Sequence, residues 1–198
     1  MGELTKKAKA KIDKGVSNVK KILSLMMVWG LIFSLVTIGR LRVAFDYDDT
    51  LVFSTPAMNK AYASGAIPAS PQFWTIVNQS YDVEKPKWMT HVIAWAFRLA
   101  GFQPAILASR PPYGGEALKK EWRHLAPRFV FVAGADAKKR ALAEQNYVLF
   151  FGDSDTDIKE ARAAHVFPVR IRRSRSSIFK EDYHPGSLHE LVLPFSEY

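Results

Sequence analysis

Two short stretches of this chain gather carboxylates closely enough to do chemistry. The first reads Phe45-Asp46-Tyr47-Asp48-Asp49-Thr50-Leu51, and the second Gly152-Asp153-Ser154-Asp155-Thr156-Asp157. A single aspartate after a strand commonly caps the helix that follows; two such clusters together ask for more. In an extended chain residues i and i+2 point to one side, so Asp46 and Asp48 face one point while Tyr47 faces away. Two carboxylates aimed at one point repel unless a cation or a shared proton is present. The second stretch brings at least one further carboxylate, Asp153. Three hard oxygen ligands, with room for water and a phosphate, suit Mg²⁺ better than a softer metal.

The elements that must carry these residues alternate. Apolar, β-rich runs at 42–46, 104–108, 128–134, 147–153 and 167–171 are separated by helical patterns at 87–100, 116–125, 138–145 and 155–164. This order predicts an α/β fold, a Rossmann-like parallel sheet with helices on both faces. Near-continuous apolar strands such as Val148-Leu149-Phe150-Phe151 agree with burial from both sides. Ligands in such folds bind beyond the carboxyl ends of the strands, where both acidic clusters fall. Residues 53–86 interrupt the alternation with Pro56, Gly65, Pro68 and Pro71. They read as a small, irregular cap insert over the sheet edge, with a short helix near 72–78.

With 198 residues, 48% apolar and 24% charged, the composition is globular and excludes a disordered or fibrous chain. The absence of cysteine excludes disulfide scaffolds, thiolate zinc sites and cysteine nucleophiles. The net charge of +9 invites a nucleic-acid reading, but its location argues against one. Seven lysines in residues 1–21 face only Glu3 and Asp13, a net +5, which leaves +4 for the other 177 residues. The excess is a basic arm on a mildly basic domain. Leu4, Ala8, Ile12 and Val16 recur every four residues along it, the pattern of a basic amphipathic helix on an anionic membrane surface.

Residues 22–39 carry no charge, and a helix of that length reaches roughly 27 Å, enough for a bilayer core. Lysines ahead of it place that side in the cytoplasm. The expected organisation is therefore an arm at 1–21, a transmembrane or signal helix at 22–39, and an α/β domain at 40–198. Three readings of 22–39 stand side by side. An uncleaved anchor fits the hydropathy. A cleaved signal peptide fits the order of charge and apolar run, but a good Ala-x-Ala site is missing. A long buried helix fits the apolar character and leaves the lysines unexplained. An anchored domain would also be pressed against the bilayer, because only Arg40 and Leu41 separate 22–39 from the first strand.

Asp46-x-Asp48-x-Thr50-Leu51 resembles the first motif of the haloacid dehalogenase-like phosphatases, and Gly152-Asp153-Ser154-x-x-Asp157 their fourth. Around them, LVFSTPA at 51–57, PQFW at 71–74 and FSEY at 195–198 resemble the class B acid phosphatases. The resemblance spans residues 41–198. It implies an exported, Mg²⁺-dependent phosphomonoesterase that favours nucleoside monophosphates. It also implies a bacterial inner-membrane protein with a periplasmic catalytic domain, or a soluble periplasmic one after signal cleavage, and a homo-oligomer.

Carried over by motif, Asp46 is the nucleophile that forms an aspartyl-phosphate, and Asp48 the general acid and then base. Asp46, Asp48 (usually through its backbone carbonyl) and Asp153 hold the metal. Asp157 orients metal-bound water or a nearby lysine, and Thr50 holds the loop's shape. Lys138, 14 residues before Gly152, resembles the third-motif lysine that neutralises the phosphoryl oxygens, with Lys139 as its alternative. The second motif departs from the family: Leu107-Ala108-Ser109-Arg110 puts Ala108 where a hydroxyl is expected. Ser109 restores the contact if the chain shifts by one residue, and Arg110 joins it as a phosphate ligand.

Trp74 and Phe179 match the aromatics expected to stack on a base, with apolar support from Met58 and Ile67. Arg170, Arg172, Arg173 and Arg175 follow the fifth strand, with Arg170 and Arg172 expected on one face of a solvated edge or a subunit contact. The five histidines show no metal-ligand spacing. Two other functions are open at this point. One is a catalytically weakened accessory subunit of a membrane protein complex, suggested by the altered second motif and residues 22–39. The other is a nucleic-acid phosphatase using the arginine edge.

Overall fold

The computed structural model describes residues 19–34, 36, 37, 39, 41–134 and 136–198. The chain divides into two units, Met1–Gly39 and Arg40–Tyr198. In the first, residues 19–34, 36 and 37 are helical. Among the described residues no helix is long and apolar enough to cross a membrane. Positions 35 and 38 of the span expected at 22–39 lie outside the described residues, as does the expected amphipathic arm through residue 18.

The second unit is built on a six-stranded sheet of order β5-β4-β1-β6-β7-β8. Its strands are β1 (Arg42–Asp46), β4 (Gln103–Ala108), β5 (Arg128–Phe131), β6 (Tyr147–Gly152), β7 (Phe167–Arg170) and β8 (Leu191–Val192). Every pairing in it is parallel. Between them lie α3 (Trp88–Leu99), α4 (Glu116–Trp122), α5 (Ala137–Ala143) and α6 (Asp155–Ala163). Strand alternation divides the core in two. Val43 and Phe45 of β1, with Ile106 and Ala108 of β4, pack with Ala94 of α3 and Leu118 and Trp122 of α4. Ala44, Ala105 and Leu107 look the other way, to Leu142 of α5 and Ala161 of α6. Helices therefore cover both faces, and the buried period-2 pattern fixes the register, because a one-residue slip would exchange the two cores.

Residues 53–86 are more regular than the sequence suggests. After the short β2 (Val52–Phe53) come α1 (Thr55–Ala63) and α2 (Pro71–Gln79), a 3₁₀ turn at Tyr81–Val83, and β3 (Lys85–Pro86), antiparallel to β2. Pro56 and Pro71 sit at helix starts, where a missing N–H costs nothing and the fixed φ favours the helix. The prolines that read as breakers are therefore initiators. The two helices share a small core of Ala57, Met58, Ala61, Ala66, Phe73 and Val77, so the cap is a helical pair with its own packing. The arginine cluster also differs from expectation. Arg170 is fully buried, while Arg172 is exposed.

Candidate active site

The carboxyl end of β1 sits at the centre of the sheet, between β4 and β6, and there Asp46 turns toward the side covered by α5 and α6. Lys138, in the first turn of α5, brings Nζ to 2.7 Å from Asp46 Oδ1 and also hydrogen-bonds Asp157 Oδ1. The ammonium lies over the Phe150 ring, 5.7 Å from its centroid. Burial by itself would make Lys138 easier to deprotonate, but the charges of Asp157 and Asp46 outweigh it and keep the lysine cationic. Burial pushes the Asp46 carboxyl well up; Lys138 pulls it back, and Asp157, Asp153 and Asp48 push it further up.

Asp157 is placed by local sequence. Ser154 caps α6 by accepting the Asp157 N–H at 3.0 Å, and Asp157 Oδ2 accepts the Ser154 N–H at 3.1 Å, a reciprocal capping box. Gly152 makes the approach possible: a Cβ there would lie 2.6 Å from that of Asp157. The Gly-Asp-Ser-x-x-Asp spacing thus describes a strand end, a helix cap and a lysine anchor in six residues.

Asp153 accepts the Thr50 hydroxyl at 3.2 Å through Oδ1 and pairs with the Arg173 guanidinium through Oδ2. Burial and the charge of Asp157 raise its carboxyl against the lowering effect of Arg173. Among the described residues, Asp46, Asp153 and Asp157 form the buried set whose oxygens lie within 4.8 Å of one another. This donor set fits a hard divalent cation. It is all oxygen, and it gathers three buried carboxylates against the two cations Lys138 and Arg173.

Asp48 is engaged elsewhere. Arg110 donates through Nε to its Oδ2 at 3.0 Å and through Nη2 to Oδ1 at 2.6 Å. The guanidinium also reaches Glu84 at 2.6 Å and lies over the Tyr47 ring, 4.7 Å from its centroid. Burial alone would raise the Asp48 carboxyl, but the charge and hydrogen bonds of Arg110 outweigh it and hold it below the usual range. The Asp48 carboxylate is outside the acidic trio, which leaves the backbone carbonyl expected from the resemblance as its contact with a metal. Two expectations change here. Arg110, fully buried, holds Asp48 and does not face the pocket as a phosphate ligand. Asp157, expected to stand behind the ligands, is inside the trio.

Asp46, Asp48, Lys138, Asp153 and Asp157 line one cavity of about 180 Å³, and Met58, Trp74, Ser109 and Phe179 form other parts of its wall. At the second motif, Ala108 is a fully buried strand residue, while Ser109 is exposed and reaches the cavity. The hydroxyl is displaced by one position. Ile67 is 76% exposed and does not line the cavity. Lys139 contributes its backbone N–H to Glu160, and of the two lysines Lys138 lines the pocket.

No family model matches the chain. A class B acid phosphatase from Salmonella typhimurium is 30% identical over 177 residues, covering 80% of this chain and 73% of its own length. One from Edwardsiella ictaluri is 30% identical over 175 residues with the same coverage. The chain belongs to the class B acid phosphatases. A predicted phosphoglycolate phosphatase from Haemophilus somnus, at 14% identity, superposes with a TM-score of 0.54 over 79% of this chain and 95% of its own, a likeness of fold alone.

This class B acid phosphatase is thus a hydrolase. Its site includes residues that sequence reasoning left without a role. Glu84 binds both Arg110 and the Tyr47 hydroxyl. Asn78 Nδ2 donates to the carbonyls of Pro111 at 2.9 Å and Tyr113 at 2.8 Å, fixing the turn after Arg110. Arg173 lines the cavity; its signal was the arginine run after β7, which shows charge and not direction. Arg170 links Asp155, Glu190 and the Asp153 carbonyl at 2.7, 2.8 and 2.7 Å. It is an internal brace behind Asp153, not a solvated edge.

Proposed function

We propose that this phosphatase is an Mg²⁺-dependent phosphomonoesterase that acts on nucleoside monophosphates through a phosphoryl group carried on Asp46. The observation that carries this reading is the placement of Asp46. It shares a small cavity with Lys138, Ser109, Asp48 and an oxygen-rich acidic trio, beside two aromatic side chains.

In this mechanism a carboxylate oxygen of Asp46 forms a bond to phosphorus as the ester P–O bond breaks. Lys138 and the Ser109 hydroxyl hold phosphoryl oxygens, placing charge where it develops in the transition state. Asp48 gives its proton to the departing alkoxide and then takes one from the water that attacks phosphorus. That attack breaks the bond to Asp46 and releases inorganic phosphate. The proton is the scarce element, since Arg110 keeps Asp48 ionised; acid conditions favour the loaded form. Asp46 and Asp153, with the Asp48 backbone and Asp157 beside them, would hold Mg²⁺, which supplies charge neutralisation for the phosphoryl oxygens. Trp74 and Phe179 offer faces for a base.

The relatives reported above are named as phosphatases and lend no support to an accessory subunit without catalysis. The lysines of 1–21 and the uncharged run at 22–39 support a bacterial inner-membrane or periplasmic location with the phosphatase unit exported. The test of function is phosphate release from adenosine 5′-monophosphate and p-nitrophenyl phosphate, with Mg²⁺ and with EDTA. Metal-dependent release that disappears in Asp46→Asn supports the mechanism. Undiminished release in EDTA or in the variant contradicts it.

A further inference from the structure

The catalytic cavity, at about 180 Å³, is smaller than the ~300–1,000 Å³ typical of small-molecule sites. It has room for a phosphoryl group, and the rest of a substrate would then extend into a neighbouring space. Two larger cavities adjoin it, with opposite charge. One, of about 510 Å³, shares Trp74, Ser109 and Lys138 with the catalytic cavity and adds Glu160 and Asp182. The other, of about 500 Å³, shares Arg173 and Phe179 and adds Arg172, Arg175 and Lys180 against one acidic side chain, Glu197, with Tyr198 beside it.

The cations of this second cavity are poorly neutralised. Arg173 is committed to Asp153 and to the carbonyls of Phe179 and Glu181. Arg172 approaches Glu197 only to 3.9 Å, with its side chain 48% exposed. Lys180 Nζ donates to the Arg175 carbonyl at 2.7 Å, and among the described residues neither Lys180 nor Arg175 has a carboxylate partner. Three like charges around one cavity repel each other, and an anion between them removes that cost and gains charge-assisted hydrogen bonds. The acidic cavity, with Glu160 and Asp182 on its wall, would repel the same anion. The route for a negatively charged leaving group is therefore set by charge.

We propose that the cavity lined by Arg172, Arg175 and Lys180 binds a second phosphate on the leaving-group side of the substrate, so that the preferred substrate class is a nucleoside bisphosphate. This rests on the phosphomonoesterase reading of the adjoining site and adds to it the chemistry of the group that leaves. Phe179, on the wall between the two cavities, is placed to meet the nucleoside that links the two phosphates.

The test compares kcat/KM of the full-length protein for adenosine 3′,5′-bisphosphate and adenosine 5′-monophosphate at fixed free Mg²⁺. The bisphosphate is expected to be favoured about tenfold, as one or two hydrogen bonds to a charged group allow, and the gap should narrow with added salt. In the double variant Arg175→Ala, Lys180→Ala the ratio should fall to about one, with p-nitrophenyl phosphate turnover unchanged. Calorimetry on Asp46→Asn gives the same comparison without turnover. If p-nitrophenyl phosphate is hydrolysed but the two nucleotides are used and bound equally, the phosphatase reading stands and the second phosphate site is overturned. A preference that survives the double variant overturns it as well. If no phosphate is released from any substrate, the phosphatase reading falls, and the two binding constants alone decide this proposal.

Discussion

Arg110 grips Asp48 with two nitrogens, Nε at 3.0 Å and Nη2 at 2.6 Å, and does so from a fully buried position. The residue proposed to move protons is thus held by a cation that favours its ionised form, and the same guanidinium is anchored on Glu84. The fork sets both the direction and the charge of Asp48.

Replacing Arg110 with alanine leaves Asp48 and Glu84 as neighbouring carboxylates without their cation. Breaking a buried pair in this way costs about 3–5 kcal/mol, which chemical denaturation would read directly. Arg110→Lys keeps a charge but loses the fork. Because Arg110 lowers the Asp48 carboxyl, loosening it lets that pKa rise. The limb of the pH–kcat/KM profile governed by Asp48 is expected to move to higher pH. An unmoved limb would show that Asp48 does not carry the proton.

Among the described residues, Lys138 is the one cation joined to both Asp46 and Asp157 in the pocket. Lys138→Met removes a preorganised charge from the phosphoryl oxygens and should lower kcat about 10²–10³-fold. Lys139→Met should leave kcat near wild type, since only its backbone N–H is engaged there. Equal losses in the two variants would indicate a general loss of surface charge.

Trp74 separates the nucleotide question from the phosphatase question. Truncation to alanine should weaken use of adenosine 5′-monophosphate by about 1–3 kcal/mol, the range for stacking on one base, and change p-nitrophenyl phosphate turnover far less. A loss shared equally by both substrates would place Trp74 in the packing of the cap, where its ring already meets Phe73 at 5.5 Å.

Asp155 supplies a stability test outside catalysis. Burial alone would raise its carboxyl, but hydrogen bonds from the His184 side chain and backbone, and from Arg170, hold it at about 2. A carboxyl lowered on folding stabilises the native state above its unfolded value, near 3.8, and that stability is lost as pH falls from there toward 2. The wild-type protein should lose stability across this window, and Asp155→Asn should be less stable at neutral pH with a flatter dependence below pH 4. Parallel curves would mean that other carboxylates govern the acid limit.

Much of the sheet and the position of Asp46 were legible in the sequence because both are local. The pattern of β1 places Asp46 at a strand end, and the capping box fixes Asp157 within four residues of Asp153. The grip on Asp48 was not legible. Asn78 and Glu84 lie in the cap, 32 and 26 residues from Arg110, and only the folded chain shows that they turn it inward. The second motif stayed open between two positions for a related reason. Whether Ala108 or Ser109 faces the pocket depends on where β4 ends, and strand ends are the least certain feature of any pattern. The cap misled because Pro56 and Pro71 start helices as readily as they break them. Strand β8 pairs only two residues with β7, too few to leave a periodic signal.

The central claim is that phosphorus passes through Asp46. The most direct measurement is to quench the enzyme in acid during turnover, reduce it with borohydride and map the peptides by mass spectrometry. Borohydride converts an acyl phosphate to an alcohol, so residue 46 should appear as homoserine, only with substrate and Mg²⁺ present. Sustained turnover with Asp46 unmodified, or with the label on another residue, would contradict the account.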